Sequence, residues 1–251
     1  MNFRSRIRNA VIPLYSKVID RFPAIEPLYR SVLQRELHPP FRRRFADKGL
    51  HEAIKREFGN KRGGVFFEAG ANDGLLFSNT AYLELYCGWS GILVEALPHK
   101  FVECVGNRPR SIVEHYALVP PDFAGGHVEM CFSNLMSFAP ALAEINHQRQ
   151  IADGYPYLVG SEKKLSAQIF LAPAKTLSDL LAEHDVRHID LMVLDLEGGE
   201  LAALRGMDFT RCSVDAILIE VRDVKAADTV LAEHGFSRCV QLTHRDRLYR
   251  I

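Results

Sequence analysis

Four apolar runs in this chain each end in an acid. Glu68 follows Val65-Phe66-Phe67, Glu95 follows Ile92-Leu93-Val94, Asp195 follows Leu191-Met192-Val193-Leu194, and Glu220 follows Ile217-Leu218-Ile219. A carboxylate at the carboxyl end of a buried strand faces the crevice where open α/β sheets bind their ligands. Four on one rim exceed what sheet packing requires. The turn after the first run, Ala69-Gly70-Ala71-Asn72-Asp73-Gly74, has glycines that permit positive φ and close approach of backbone to a ligand. Its G-x-x-x-G spacing is not the G-x-G-x-x-G turn that seats a dinucleotide pyrophosphate, and an acid facing the turn would repel one. The same acid suits a cationic ligand, such as the ammonium and sulfonium of S-adenosylmethionine. Glu95, at the next strand end, is placed to accept both hydroxyls of an adenosine ribose. Asp195-Leu196-Glu197 offers a general base for an acceptor hydroxyl, or oxygen ligands for Mg²⁺. Glu200 is explained more simply as an acid favoured at a helix N-terminus. His115, His127, His147 and His244 are rival bases that the sequence does not rank.

The elements that must position these groups alternate. Strands are expected at 65–69, 91–95, 111–119, 127–132, 189–194 and 214–219, and helices at 79–86, from Pro98 to about 107, at 174–184 and at 229–234. A closing antiparallel pair is expected at 238–242 and 248–251. Strands alternating with helices give a mostly parallel sheet. Residues 133–167 are the least regular and have the character of a lid or substrate loop. Residues 1–62 differ: Arg4, Arg6, Arg8, Lys17 and Arg21 interleave with apolar residues near helical spacing, several prolines interrupt, and Phe41-Arg42-Arg43-Arg44-Phe45 is a basic cluster. This stretch reads as a helical, basic extension packed on the main domain as a lid, or, as the alternative, as a peripheral contact with anionic lipid or an anionic substrate.

Composition narrows the class. The 251 residues are 47% hydrophobic and 25% charged with zero formal net charge, so no global field points to nucleic acid. The five cysteines include no C-x-x-C pair, which argues against a disulfide framework or structural zinc and fits a reducing compartment. Without a membrane-length apolar run or a signal-peptide core, the expected location is cytoplasmic, with membrane association through the basic extension as the variant.

In this order the motifs resemble the FkbM-type S-adenosylmethionine-dependent methyltransferases. The resemblance is carried by Phe67-Glu-Ala-Gly-Ala-Asn-Asp-Gly74, Gly88-Trp-Ser-Gly-Ile-Leu-Val-Glu95-Ala96, Asn107-Arg108-Pro109, Thr176-Leu-Ser-Asp-Leu-Leu181, Ile189-Asp-Leu-Met-Val-Leu-Asp195-Leu-Glu197-Gly-Gly-Glu200-Leu201, and Leu204-Arg-Gly206 with Asp208-Phe209. It runs co-linearly from about Gly64 to the C-terminus, and the Asp-x-Glu-Gly-x-Glu block is its most specific piece. Glu68 stands where the family often has Asp, a change that keeps the charge.

The resemblance implies a class I methyltransferase (Rossmann-like) fold: a mostly parallel seven-stranded sheet ending in an antiparallel pair over 63–251, with 1–62 outside it. It also implies O-methylation of a hydroxyl on a sugar, glycolipid or secondary-metabolite acceptor, with N- or protein methylation as runner-up. A nicotinamide-dependent oxidoreductase and a non-catalytic nucleoside-binding module rank below both. Carried over residue by residue, Glu68, Gly70, Asn72, Asp73 and Gly74 would line the methionine end of the cofactor. Glu95 with Ala96 would hold the ribose, and Tyr116-Ala117-Leu118 would lie beside the adenine. Asp195 and Glu197 would face the methyl group as base or as Mg²⁺ ligands.

Overall fold

A computed structural model describes residues 45–46, 48–158 and 160–251. Its centre is a seven-stranded sheet of β1 (Val65–Ala69), β2 (Ser90–Val94), β3 (Ile112–Glu114), β4 (Leu191–Leu194), β5 (Ala216–Glu220), β6 (Arg238–Gln241) and β7 (Asp246–Arg250). The spatial order is 3-2-1-4-5-7-6, and only β7 runs antiparallel, against both β5 and β6. The connections after β1 and β4 leave to opposite sides, so a crevice opens at the carboxyl ends of these two neighbours.

The period-two pattern of the strands feeds two cores. Phe67, Met192, Leu194, Ile217 and Ile219 face one side and pack on Leu177, Leu180 and Leu181 of α5 (Leu177–Glu183), Ala203 and Leu204 of α6 (Glu200–Arg205), and Leu231 of α7 (Val224–Glu233). Phe66, Leu93, Leu191, Val193 and Leu218 face the other, against Leu50, Ile54 and Phe58 of α1 (Lys48–Phe58), Leu83 and Cys87 of α2 (Ala81–Cys87), and Cys104 of α3 (Pro98–Asn107). Strands buried on both faces are near-continuous apolar runs, which is why they stood out in the sequence.

Several expected boundaries move. The strand expected at 111–119 divides: after β3 the chain turns at His115-Tyr116, and 117–118 pairs with 174–175 in a separate three-stranded sheet. The helix expected from 174 starts at Leu177, because Thr176 caps it by accepting from the Asp179 N–H at 3.1 Å. Residues 169–175 are instead a strand antiparallel to 127–131. The run at 189–194 breaks at Asp190, whose carboxylate accepts the Val65 N–H at 2.7 Å and pairs with Lys61. The helix expected at 229–234 begins earlier, at Val224, capped by Asp223.

Within the extension, residues 48–58 form α1 and pack on the sheet; the remaining expectations for it concern residues 1–44, outside the described residues. No helix among the described residues is long and apolar enough to cross a membrane.

The irregular stretch forms a roof over the crevice. It contains the turn Asn134–Met136, α4 (His147–Gly154) and the turn Gly160–Leu165, and none of it enters the seven-stranded sheet.

Candidate functional site

A cavity partly open to solvent lies at the carboxyl ends of β1, β2 and β4 beneath the roof. Gly70, Asn72, Glu95, Ala96, Ala117, Asp195 and Glu197, expected at the site from sequence, all line it. Tyr116 and Leu118 line it too.

Glu68, Asp73 and Gly74 do not line it, a departure from the expected contact with the cofactor. Glu68 is buried behind the wall, where its carboxylate accepts from Ser78 Oγ at 2.9 Å, the Asn79 N–H at 2.7 Å and Thr80 Oγ1 at 2.5 Å. Strand alternation turns its side chain to the α2 side, so it braces the 78–80 turn. The Asp73 carboxylate accepts the N–H groups of Leu75 and Leu76. Gly74 is there because a Cβ would fall 2.7 Å from Arg108 Cγ and 2.9 Å from Cys104 Sγ. All three shape the loop without touching the cavity.

Arg108 joins these groups and had no role assigned from sequence. Its guanidinium is wholly buried and donates to Glu84 Oε2 at 2.6 Å, the Gly74 carbonyl at 2.9 Å, Ser78 Oγ at 3.1 Å and Thr80 Oγ1 at 3.0 Å. It lies over the Phe66 ring and 3.8 Å from Glu68. The sequence signal was the Asn107-Arg108-Pro109 motif, which names the residue but not its partners.

The groups at the β1 and β2 end of the cavity are closely fitted. Gly70 has φ +82°, and a Cβ there would sit 1.9 Å from the Asp195 carbonyl oxygen, so only glycine lets the ends of β1 and β4 approach. Asn72, also left-handed at φ 49°, donates its N–H to Glu95 Oε2 at 2.7 Å. Both polar atoms of its side-chain amide are buried without partners. Glu95 Oε1 accepts from the Leu97 N–H at 2.8 Å. Each Glu95 oxygen thus spends one acceptor position on backbone and keeps another for a ligand hydroxyl. Burial pushes the Glu95 carboxyl above its ordinary range. His115 holds the adjacent Ala96 carbonyl at 3.0 Å and stacks on Phe101. None of the four rival histidines lines the cavity.

At the other end, ligand oxygens of Asp195, Glu197 and Glu220 lie within 4.8 Å of one another. Glu197 accepts from Gln150 Nε2 at 2.7 Å and pairs with Arg222; Glu220 pairs with Arg245 at 2.9 Å. Among the described residues none donates a hydrogen bond to the Asp195 carboxylate. Burial and then the neighbouring carboxylates of Glu220 and Glu197 push Asp195 well above the usual range, and burial with Glu220 pushes Glu197 up to about 7. Glu200 is also raised to about 7, mainly by burial; its carboxylate accepts the Leu196 and Gly198 N–H groups and shapes the turn, the structural part expected of it. Gln150, Arg222 and Arg245 were missed: Gln150 lies in the irregular roof, and the arginines carry no motif, although Arg222 stands only two residues past a rim acid.

Three carboxylates against two guanidiniums leave one net negative charge when all are ionised. Arg222 and Arg245 hydrogen-bond only Glu197 Oε2 and Glu220 Oε1, so the Asp195 carboxylate and Glu220 Oε2, which no hydrogen bond satisfies, are the oxygens a Mg²⁺ would use, and the net charge of the set offsets only half the charge of such an ion. The set fits a group that takes a proton or faces a single positive charge.

The sequence matches the family model of the methyltransferase FkbM domain over residues 68–238. No curated protein matches. Among solved structures, the chain is similar to a TehB-like SAM-dependent methyltransferase from Corynebacterium glutamicum, at 12% identity and TM-score 0.42, over 91% of this chain and 97% of that one. It is similar to a methyltransferase FkbM from Methylobacillus flagellatus, at 13% identity and TM-score 0.44, over 94% of this chain and 60% of that one. It is also similar to the human methyltransferase 10 domain containing protein, at 10% identity and TM-score 0.45, over 99% and 97%.

Proposed function

The chain belongs to the FkbM methyltransferase family, and on that premise we propose that its cavity binds S-adenosylmethionine and that the enzyme methylates a hydroxyl of a small-molecule or glycan acceptor: a sugar, a glycolipid or a secondary metabolite. The observation that carries this reading is one cavity with Glu95 at one end and the unpartnered Asp195 carboxylate at the other. The residues fit the donor molecule on this chain's own evidence. Glu95 keeps acceptor capacity for two hydroxyls, and Asn72 presents an unsatisfied buried amide. The sulfonium, when bound, supplies an electrophilic methyl carbon.

The chain's own part is to position an acceptor oxygen and to remove its proton. A free amine already carries a lone pair, whereas a hydroxyl needs a base, and Asp195 and Glu197 are raised towards the pH at which a carboxylate serves as one. This supports oxygen over nitrogen as the acceptor atom. The roof is tied to the cluster through Gln150, which donates to Glu197 at 2.7 Å.

Calorimetric titration of the purified protein with S-adenosylmethionine and, separately, NADH tests the first half. Binding of the sulfonium compound alone, weakened about 100-fold in Glu95→Ala by loss of two charge-assisted hydrogen bonds, is expected. No binding by a well-folded protein would refute it. Mass spectrometry of polyhydroxylated acceptors incubated with enzyme and donor tests the second half, through the gain of one methyl group at oxygen.

A further inference from the structure

Asn134 lines the cavity from the roof and takes no part in the chemistry described above. It is left-handed, with φ 52°, and about nine-tenths buried. Its Nδ2 donates to Glu162 Oε2 at 2.8 Å and to the Tyr157 carbonyl at 3.2 Å. Its Oδ1 is buried with no partner. The amide cannot turn over, because flipping would press the carbonyl oxygen against a carboxylate and another carbonyl. The carboxylate is itself locked: Glu162 pairs at 3.0 Å with Lys100, both buried, and Lys100 also reaches Glu103 at 3.1 Å. Lys100 lies in the first turn of α3, which starts directly after the Glu95-Ala96-Leu97 segment.

A buried ion pair and a strained backbone thus fix one hydrogen-bond acceptor in a cavity wall and leave it unsatisfied. An orphaned buried acceptor is costly unless something in the cavity meets it. Its place says what. Phe132, two residues before Asn134, packs with Leu97 at the nucleoside end. Ala96, Ala117, Met130 and Ala139 form an apolar patch of the same cavity, suited to the faces of a flat ring. The acid cluster is reached from the far side of the turn, through the Met136 carbonyl and Gln150.

From these placements we infer that Asn134 Oδ1 accepts a hydrogen bond from the exocyclic amino group of the bound nucleobase and makes the site selective for a 6-amino over a 6-oxo purine. This rests on the cavity being the nucleoside site proposed above. The Lys100–Glu162 pair is the positioning device: it denies the amide the flip that would let it donate to an oxo group instead. Discrimination of this kind comes from a clash of acceptors as much as from the favoured bond.

The test uses the full chain and two probes, S-adenosylhomocysteine and S-inosylhomocysteine, which differ at the 6-position. The wild type is expected to bind the adenine form ~10-fold or more tightly, the size of one satisfied against one unsatisfied buried hydrogen bond. In Asn134→Leu the preference should collapse, mainly through weaker binding of the adenine form. A purely structural role for Asn134 would weaken both probes alike and leave their ratio unchanged. Equal binding of the two probes by the wild type overturns this inference while leaving the nucleoside site standing, and requires no folded variant. Binding of neither overturns the nucleoside site as well.

Discussion

Replacing Arg108 by Met tests whether the buried ion network holds the loop after β1. The change keeps the aliphatic stem and deletes a guanidinium that makes four hydrogen bonds, to Glu84, Gly74, Ser78 and Thr80, in a wholly buried setting. It leaves Glu84, which is 0% exposed, without its cation. Removing one partner of a buried pair typically costs about 3–5 kcal/mol, because the other charge stays desolvated. The lost contact with the Phe66 face adds roughly 1 kcal/mol. Against a total stability of about 5–15 kcal/mol the variant is marginal. At 2–4 °C per kcal/mol for a chain of this size, its melting point should fall by about 8–24 °C. Urea unfolding followed by circular dichroism reads the difference. Arg108→Lys should fall between, keeping the charge without the planar fork of donors. The double change Arg108→Met with Glu84→Gln should cost less than the sum of the singles, since the stranded charge is gone. A loss below about 1 kcal/mol in Arg108→Met, the worth of an ordinary exposed pair, would refute the reasoning.

Three further outcomes follow from the geometry. Gly70→Ala should lose S-adenosylmethionine binding and much of the stability, since the new Cβ would lie 1.9 Å from the Asp195 carbonyl; calorimetry and a thermal melt give both readings. Asp195→Asn should leave donor affinity near wild type and lower kcat by about 10²–10⁴-fold, the usual worth of a general base, in a methylation assay. The ligand-free protein should lose stability as pH rises from about 5 to 8. Glu197 and Glu200, raised to about 7 when folded, hold protons there that the unfolded chain has already released near its ordinary carboxylate range, so their contribution is complete at the low end and is lost through 7. Glu200→Gln should flatten part of that slope, and a profile that rises over this window would contradict the burial of these acids.

What could be read from the sequence was whatever is local along the chain. An apolar run closed by an acid specifies both a buried strand and a group on its rim, so Glu95, Asp195 and Glu197 could be placed in one cavity before any coordinates. The same logic misplaced Glu68, because strand alternation and partners 10 to 12 residues on, Ser78 and Thr80, decide which way that carboxylate points. Arg108 stands 24 residues from Glu84 and Gln150 stands 47 from Glu197, separations at which neither periodicity nor spacing carries information. The expected helix at 174 failed for a related reason: residues 169–175 have a strand partner at 127–131, and only tertiary pairing reveals it. Asn134 left no trace in the pattern, since its importance lies in a left-handed backbone and an ion pair made elsewhere.

The separation of the roof from the seven-stranded sheet has an evolutionary side. Residues 127–175 pair only among themselves and with the short 117–118 segment, so the register of the main sheet does not depend on them. Mutations can accumulate in this insert, or an insert of different length can replace it, without disturbing the strand ends that carry Glu95 and Asp195. One catalytic chassis can therefore be re-aimed at a new acceptor by exchanging a module. The contacts such a graft must rebuild include the hydrogen bond from Gln150 to Glu197, the grip of Glu162 on Lys100 and the packing of Phe132 on Leu97.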